Sequence, residues 1–333
     1  AKQTASELWS QLFNILKGNP GLSREVESAM FNFVRSSNSL NGINAMISLA
    51  RSEPGVALDV DKLDTNPWAL NVLNGTVDLR TGELREHRRE DFITKLAPVK
   101  FDADAICPTW EVFTHEIFQG NKYLTRFVQQ LLGYSLTGSI REQLLIVGWG
   151  SGGNGKSTFV ETCFNLLGTD YSMKAAPDLL LKKTGDSHPT GRAGLFGQRF
   201  VAAVETGAGR ALDEPLVKEA TGGDRMRVRR MHENFWEFKP THQLWLMTNY
   251  KPIVTATDEA MWRRVKLIPF TAHFPEANRD AELVDKLKEE LPGILNWAIA
   301  GCLDWQHNKL REPKVVKDAT ATYRTEMDEV GQF

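Results

Sequence analysis

Apolar residues over the first fifty positions recur at helical spacing: Leu8, Trp9, Leu12, Phe13 and Leu16, then Val26, Met30 and Phe33, then Ile43, Met46, Ile47 and Ala50. Gly18-Asn19-Pro20-Gly21 separates the first two helices. From Val72 to Leu84 the pattern shortens. Val72-Leu73, 76–79 and Glu83-Leu84 are divided by Asn74-Gly75 and Arg80-Thr81-Gly82, which predicts short strands joined by tight turns. Beyond Pro108 the helical period returns in Leu124, Phe127, Val128, Leu131 and Leu132, ending near Gly133. Short apolar runs at 144–147, 200–204, 244–248 and 265–268 then alternate with helical stretches near 155–167 and 213–220. Strands separated by helices pair in parallel and are covered on both faces. The tail from Ala281 is helical again, with Leu283, Leu287, Leu291, Ile294, Trp297 and Ala298. The predicted fold class is therefore α/β, a mainly parallel sheet flanked by helices. Three parts are expected: a helical and small β region for assembly or spacing at 1–110, the α/β core at 111–273, and a helical segment packing on that core at 274–333.

Composition removes several classes. Of 333 residues, 41 % are apolar and 25 % charged, which excludes disorder and collagen-like structure. The longest apolar stretch, 291–303, is interrupted by Pro292 and Asn296 and is shorter than the roughly 20 residues of a membrane helix. Residues 1–10 lack the basic and apolar segments of a secretory signal, so a cytoplasmic location without a membrane partner is expected. Three cysteines, far apart and without a CxxC pair, argue against a disulfide framework and a zinc site. Forty basic against forty-two acidic side chains leave a net charge of −2. Any nucleic-acid contact must then come from a local basic cluster.

One motif carries chemistry by itself. Gly150-Ser-Gly-Gly-Asn-Gly155-Lys156-Ser157 fits G-x-x-x-x-G-K-[ST], with an apolar strand entering and a helix leaving. Gly150, Gly152, Gly153 and Gly155 let the backbone curl so that successive N–H groups, those of Asn154 and Thr158 among them, face phosphate oxygens. Lys156 brings a point charge to the β- and γ-phosphates of a nucleotide, and the Ser157 hydroxyl is a ligand for Mg²⁺. Hydrolysis needs an acid and a polar sensor besides. Glu205 follows the strand 200–204 and is the candidate to polarise water or hold the Mg²⁺ shell. Asn249 follows the strand 244–248, where it could bond the γ-phosphate or the water, or serve only as a turn former before Pro252.

Taken in order, the phosphate loop, Val204-Glu205-Thr206, Lys218-Glu-Ala-Thr-Gly-Gly-Asp224, Phe238-x-Pro240, Leu246-Met-Thr-Asn249 and Trp262-Arg-Arg-x-x-x-Ile-Pro-Phe270 resemble the phage and plasmid primase–helicases. These are relatives of the poxvirus primase–helicase, within helicase superfamily 3. The likeness extends to Asn74-Gly-x-x-Asp-Leu-x-Thr-Gly82 and Leu291-Pro-Gly-Ile-Leu-Asn-Trp297. It implies an AAA+-type P-loop motor that forms a ring, commonly hexameric, and moves on single-stranded DNA with ATP and Mg²⁺. Lys156, Glu205, Asn249 and one arginine of the pair Arg263-Arg264, with Arg264 preferred, would be the catalytic set, the arginine reaching a neighbouring subunit. Relatives often carry two adjacent acids where this chain has Glu205 alone, which leaves Asp224 as a further metal candidate. Full-length relatives carry a primase domain upstream on the same chain, so this sequence is expected to be the motor part, without priming chemistry.

DNA contact is expected between the acid and the sensor. Residues 227–229 and 235–238 predict two strands of a hairpin with a tip at 231–234, and superfamily members place such a hairpin in the ring's channel. Five Lys/Arg against three Asp/Glu lie in 224–239. Arg227, Arg229, Arg230, His232 and Lys239 are the candidate contacts, which would make binding sequence-tolerant and salt-sensitive. Lys218 could approach a neighbour's phosphates, and 185–191, with His188, is expected to form a loop. Two rival functions share these features: a motor that remodels protein partners, and a DNA-binding replication module with little hydrolysis.

Overall fold

The computed structural model of the chain describes residues 2–19, 21–53, 58–182, 190–204, 207–231, 233–255 and 258–330. It divides into two units, Ala1–Leu63 and Asp64–Phe333. The first holds the three helices expected from the apolar spacing: α1 (Lys2–Gly18), α2 (Arg24–Ser37) and α3 (Leu40–Ala50). Ser23 and Ser39 start the second and third by accepting the N–H groups of Val26 and Gly42, amides that a helix cannot satisfy itself.

The second unit opens with β1 (Ala69–Val72), β2 (Gly75–Asp78) and β3 (Glu83–Arg85), an antiparallel sheet in chain order. Val72 pairs with Gly75, so Leu73-Asn74 makes a two-residue turn. Two helices follow, α4 (Pro108–Ile117) and α5 (Lys122–Ser135). The central sheet is built from β4 (Leu145–Trp149), β5 (Ser172–Ala175), β6 (Phe200–Val204), β9 (Gln243–Thr248) and β10 (Val265–Pro269). Between these strands come α6 (Lys156–Tyr171), α7 (Thr190–Ala193), α8 (Glu214–Thr221), the strands β7 (Met226–Val228) and β8 (Trp236–Phe238), and α9 (Glu259–Trp262). The chain closes on α10 (Leu283–Glu289), α11 (Leu291–Asn308) and α12 (Lys314–Val330).

Strand order is β10-β4-β9-β6-β5, and every pairing is parallel. The four strands expected from sequence are all present. The fifth, β5, carries no apolar run, because it is a short edge strand with Lys174 exposed. Alternation sends Ile146, Ala202, Trp245, Met247 and Ile268 to one face, where they meet Phe159, Leu166, Val128 and Ile294 from the helices. Leu145, Val147, Val201, Ala203, Leu244 and Leu246 line the other face, against Leu216 and Val217 of α8 and Tyr323 of α12. Both faces are therefore dry, which is why the strands read as continuous apolar runs.

Two contacts position the rest. α5 and α11 approach so closely that a Cβ on Gly133 would lie 2.1 Å from Cys302 N, and one on Gly301 2.1 Å from Gln129 O. α12 covers the edge strand β10: Thr320 Oγ1 accepts the Leu267 N–H at 3.0 Å, and Glu312 pairs with Lys266 at 2.9 Å. Among the described residues no helix is long and apolar enough to cross a membrane.

Candidate functional site

At the carboxyl ends of β4 and β9 the chain makes an open cleft of about 590 Å³, the place where parallel sheets gather ligands. Its floor is the loop between β4 and α6. Gly152, Gly153 and Gly155 take φ of 102°, 62° and 84°, a left-handed backbone that other residues adopt only at a cost. Room matters as much as torsion. A Cβ on Gly150 would stand 2.2 Å from Phe270 O, and one on Gly155 2.5 Å from Ile117 Cγ2. Phe274 N–H donates to Gly153 O at 2.8 Å and Asn154 Nδ2 to Phe270 O at 3.0 Å, fixing the loop from behind. Gly155, in the cap position of α6, brings no side-chain acceptor to the first-turn amides. Those amides and the helix dipole suit an anion.

Lys156 is 7 % exposed, and Nζ donates to Gly150 O at 2.6 Å, Asn154 Oδ1 at 3.0 Å and Asn249 Oδ1 at 3.1 Å. All three acceptors are neutral. Burial without a compensating carboxylate in that set pushes the ammonium down to about 8. Lys156 and Asn249, 93 residues apart in the chain, thus meet at one point. Thr248 sets the turn after β9, its hydroxyl accepting the Tyr250 N–H at 3.0 Å. Ser157 is exposed on the first turn of α6, and Thr158 lines the cleft beside it. Glu205 and His232 lie outside the described residues, as does 183–189 with His188; Val204, the last residue of β6, lines the cleft.

The structure separates the two arginines. Arg264 is 7 % exposed and held within its own chain, by Nε to Thr221 Oγ1 at 3.1 Å and by further bonds to Ala260 O and Gln143 Oε1. Arg263 is exposed and bonds Gln143 Oε1 at 3.3 Å. The guanidinium facing outward is therefore that of Arg263, not the preferred Arg264. Lys218 pairs with Asp258 at 2.6 Å, and Asp224 is exposed and not among the residues lining the cleft. The hairpin is present as β7 and β8, with Arg227, Arg229, Arg230 and Lys239 exposed.

Sequence reasoning missed one wall. Val112 and Phe113 of α4, with Phe274 and Leu283, give the cleft an apolar side, and Arg279 stands over the loop, Nε bonded to Phe274 O at 3.1 Å. Its Nη2 lies where a Cβ on Gly153 would come within 2.8 Å. No motif announces Arg279, because it reaches the loop only after the chain folds back more than a hundred residues later. Lys251, two residues past Asn249, sits 4.5 Å from the Trp149 ring and pairs with Glu326 of α12 at 2.7 Å. The last helix is thereby tied to both the strand entering the loop and the turn holding Asn249.

Residues 2–119 match the family model D5 N terminal like, and residues 149–264 match a family of unknown function, DUF5906. The chain is 27 % identical to "Putative helicase L207/L206" of Acanthamoeba polyphaga mimivirus, over 81 % of this chain and 30 % of that protein. It is 23 % identical to "Putative primase C962R" of African swine fever virus, over 67 % of this chain and 24 % of that protein. The chain thus spans about a third or less of the length of these curated relatives. Among solved structures, the apo C-terminal region of NrS-1 aligns with a TM-score of 0.53 at 14 % identity, over 71 % of this chain and 53 % of that one, a likeness of fold. With the motifs and the parallel sheet, these matches support a relationship of the chain to the primase–helicases of large DNA viruses.

Proposed function

We propose that the chain is the ATP-dependent DNA helicase module of a replication protein, an AAA+-type superfamily 3 motor acting as a ring on single-stranded DNA. The observation that carries this reading is the seat of Lys156: a buried ammonium held by three neutral oxygens beneath a glycine loop, with a polar sensor as one of its ligands. Among the described residues its hydrogen-bond partners are all neutral, and a triphosphate brings the negative charge that such a cation attracts. The cleft volume and its apolar side suit a nucleotide.

Bound Mg²⁺–ATP supplies the scissile phosphoanhydride and the divalent charge that stabilises the departing phosphates. Lys156 and the loop amides fix the phosphate oxygens, and Ser157 offers its hydroxyl to the metal. Glu205 orients water or completes the metal shell, an assignment resting on its place after β6. Asn249, bonded to Lys156 Nζ, would bond the γ-phosphate or the attacking water. A neighbouring subunit supplies an arginine, and exposure favours Arg263 over Arg264 for that reach. Arg227, Arg229, Arg230, His232 and Lys239 hold the phosphate backbone of the strand. Phosphate release should fall about 10²–10³-fold or more in Lys156→Ala, as measured with and without single-stranded DNA. Unchanged release in the variant would refute the assignment.

A further inference from the structure

β7 and β8 pair with Arg227 opposite Glu237 and Val228 opposite Trp236. Alternation sorts the hairpin into two faces. Met226, Val228 and Phe238 turn inward and are buried in the second core cluster, and Trp236 packs edge-on against Phe196 at 5.0 Å. On the outward face Arg227, Arg229 and Glu237 are exposed, and among them stands Phe235, 49 % exposed. The guanidinium carbons of Arg227 and Arg229 lie 4.8 Å and 5.0 Å from the centre of its ring. The inward face already provides the hairpin's apolar packing, so Phe235 is a half-exposed ring with two guanidiniums over it, and an incoming base stacks on its open part or takes the place of one guanidinium. That is the chemistry of a base-stacking platform: the ring offers a π-face and the guanidiniums offer stacking planes and phosphate ligands.

Resting on the single-stranded DNA reading above, we propose that Phe235 stacks against an unpaired nucleobase while Arg227 and Arg229 hold the adjoining phosphates. Charge complementarity selects a polyanion as the occupant, since the segment 224–239 carries five Lys/Arg against three Asp/Glu in a chain of net charge −2. In a duplex each base face is covered by its neighbours, so a stacking contact takes unpaired strands and rejects paired ones. The grip depends on bases as well as backbone, yet tolerates any sequence, because every base has a π-face.

The test compares two short oligonucleotides with the same number of phosphates, one of dT and one abasic, binding to the full chain by fluorescence anisotropy. Wild type should bind dT more tightly than the abasic strand, by about 10-fold. Phe235→Ala should lose that difference while keeping its affinity for the abasic strand, and Phe235→Trp should keep both. Equal loss on both strands overturns stacking and makes the ring a mere support for Arg227 and Arg229. No loss on either overturns stacking while leaving the hairpin reading intact, provided Arg230→Ala still weakens binding. If wild type binds neither strand, the proposal falls together with the DNA reading, and the patch belongs to a protein partner.

Discussion

Lys156 is the residue on which the proposed nucleotide chemistry turns, and its setting has a titration signature. Burial depresses its folded-state ammonium from the ordinary lysine range to about 8. Below pH 8 the folded chain therefore carries a buried charge at a cost. That cost is relieved as pH rises toward the unfolded value, because the unfolded state then holds more protons. Phosphates at the site reverse the depression, so nucleotide binding near pH 8–9 should take up a proton and weaken as pH rises further. Calorimetry of a non-hydrolysable ATP analogue in buffers of different ionisation heat measures this directly. Heat independent of the buffer would show that Lys156 is not at the phosphates. Lys156 and Asn249 were legible in the sequence because one opens the helix after a glycine-rich motif and the other directly follows an apolar strand. The opposite exposure of Arg263 and Arg264 was not, since the α9–β10 turn alone decides which of two adjacent side chains points inward. Arg279 was invisible for a related reason: its role is set by a long-range return of the chain.

Among the elements, the parallel strands were readable because burial on both faces leaves an unbroken apolar run. β5 was not, because an edge strand of four residues with an exposed lysine has no such run. The antiparallel α5–α11 contact is set by something a periodicity count does not weigh, the absence of a side chain. Gly301→Ala puts a methyl 2.1 Å from Gln129 O, backbone rather than a yielding side chain. Overpacking of this kind costs about 1–3 kcal/mol. Thermal unfolding of Gly301→Ala should accordingly show a clear fall in Tm, whereas Gly223→Ala, where a Cβ meets nothing within 4 Å, should change it little. Equal behaviour of the two would mean that the helices stand further apart than described.

For the whole molecule, the expectation of hydrolysis between copies places the arginine on a different chain from the lysine it serves. Lys156→Ala and Arg263→Ala chains should each be inactive alone, yet recover part of the phosphate release when mixed, because some interfaces then hold one intact lysine and one intact arginine. Arg264→Ala should instead lower Tm through loss of its bonds to Thr221, Ala260 and Gln143. A mixture as inactive as its parts would contradict the trans arrangement. The measurement that bears most directly on the whole account is strand displacement on partial duplexes with a single-stranded tail on one end or the other. Wild type should displace the strand with ATP and Mg²⁺ from one tail polarity, and neither Lys156→Ala nor wild type without ATP should do so. Displacement that persists in Lys156→Ala, or wild type that hydrolyses ATP yet separates neither substrate, would contradict it.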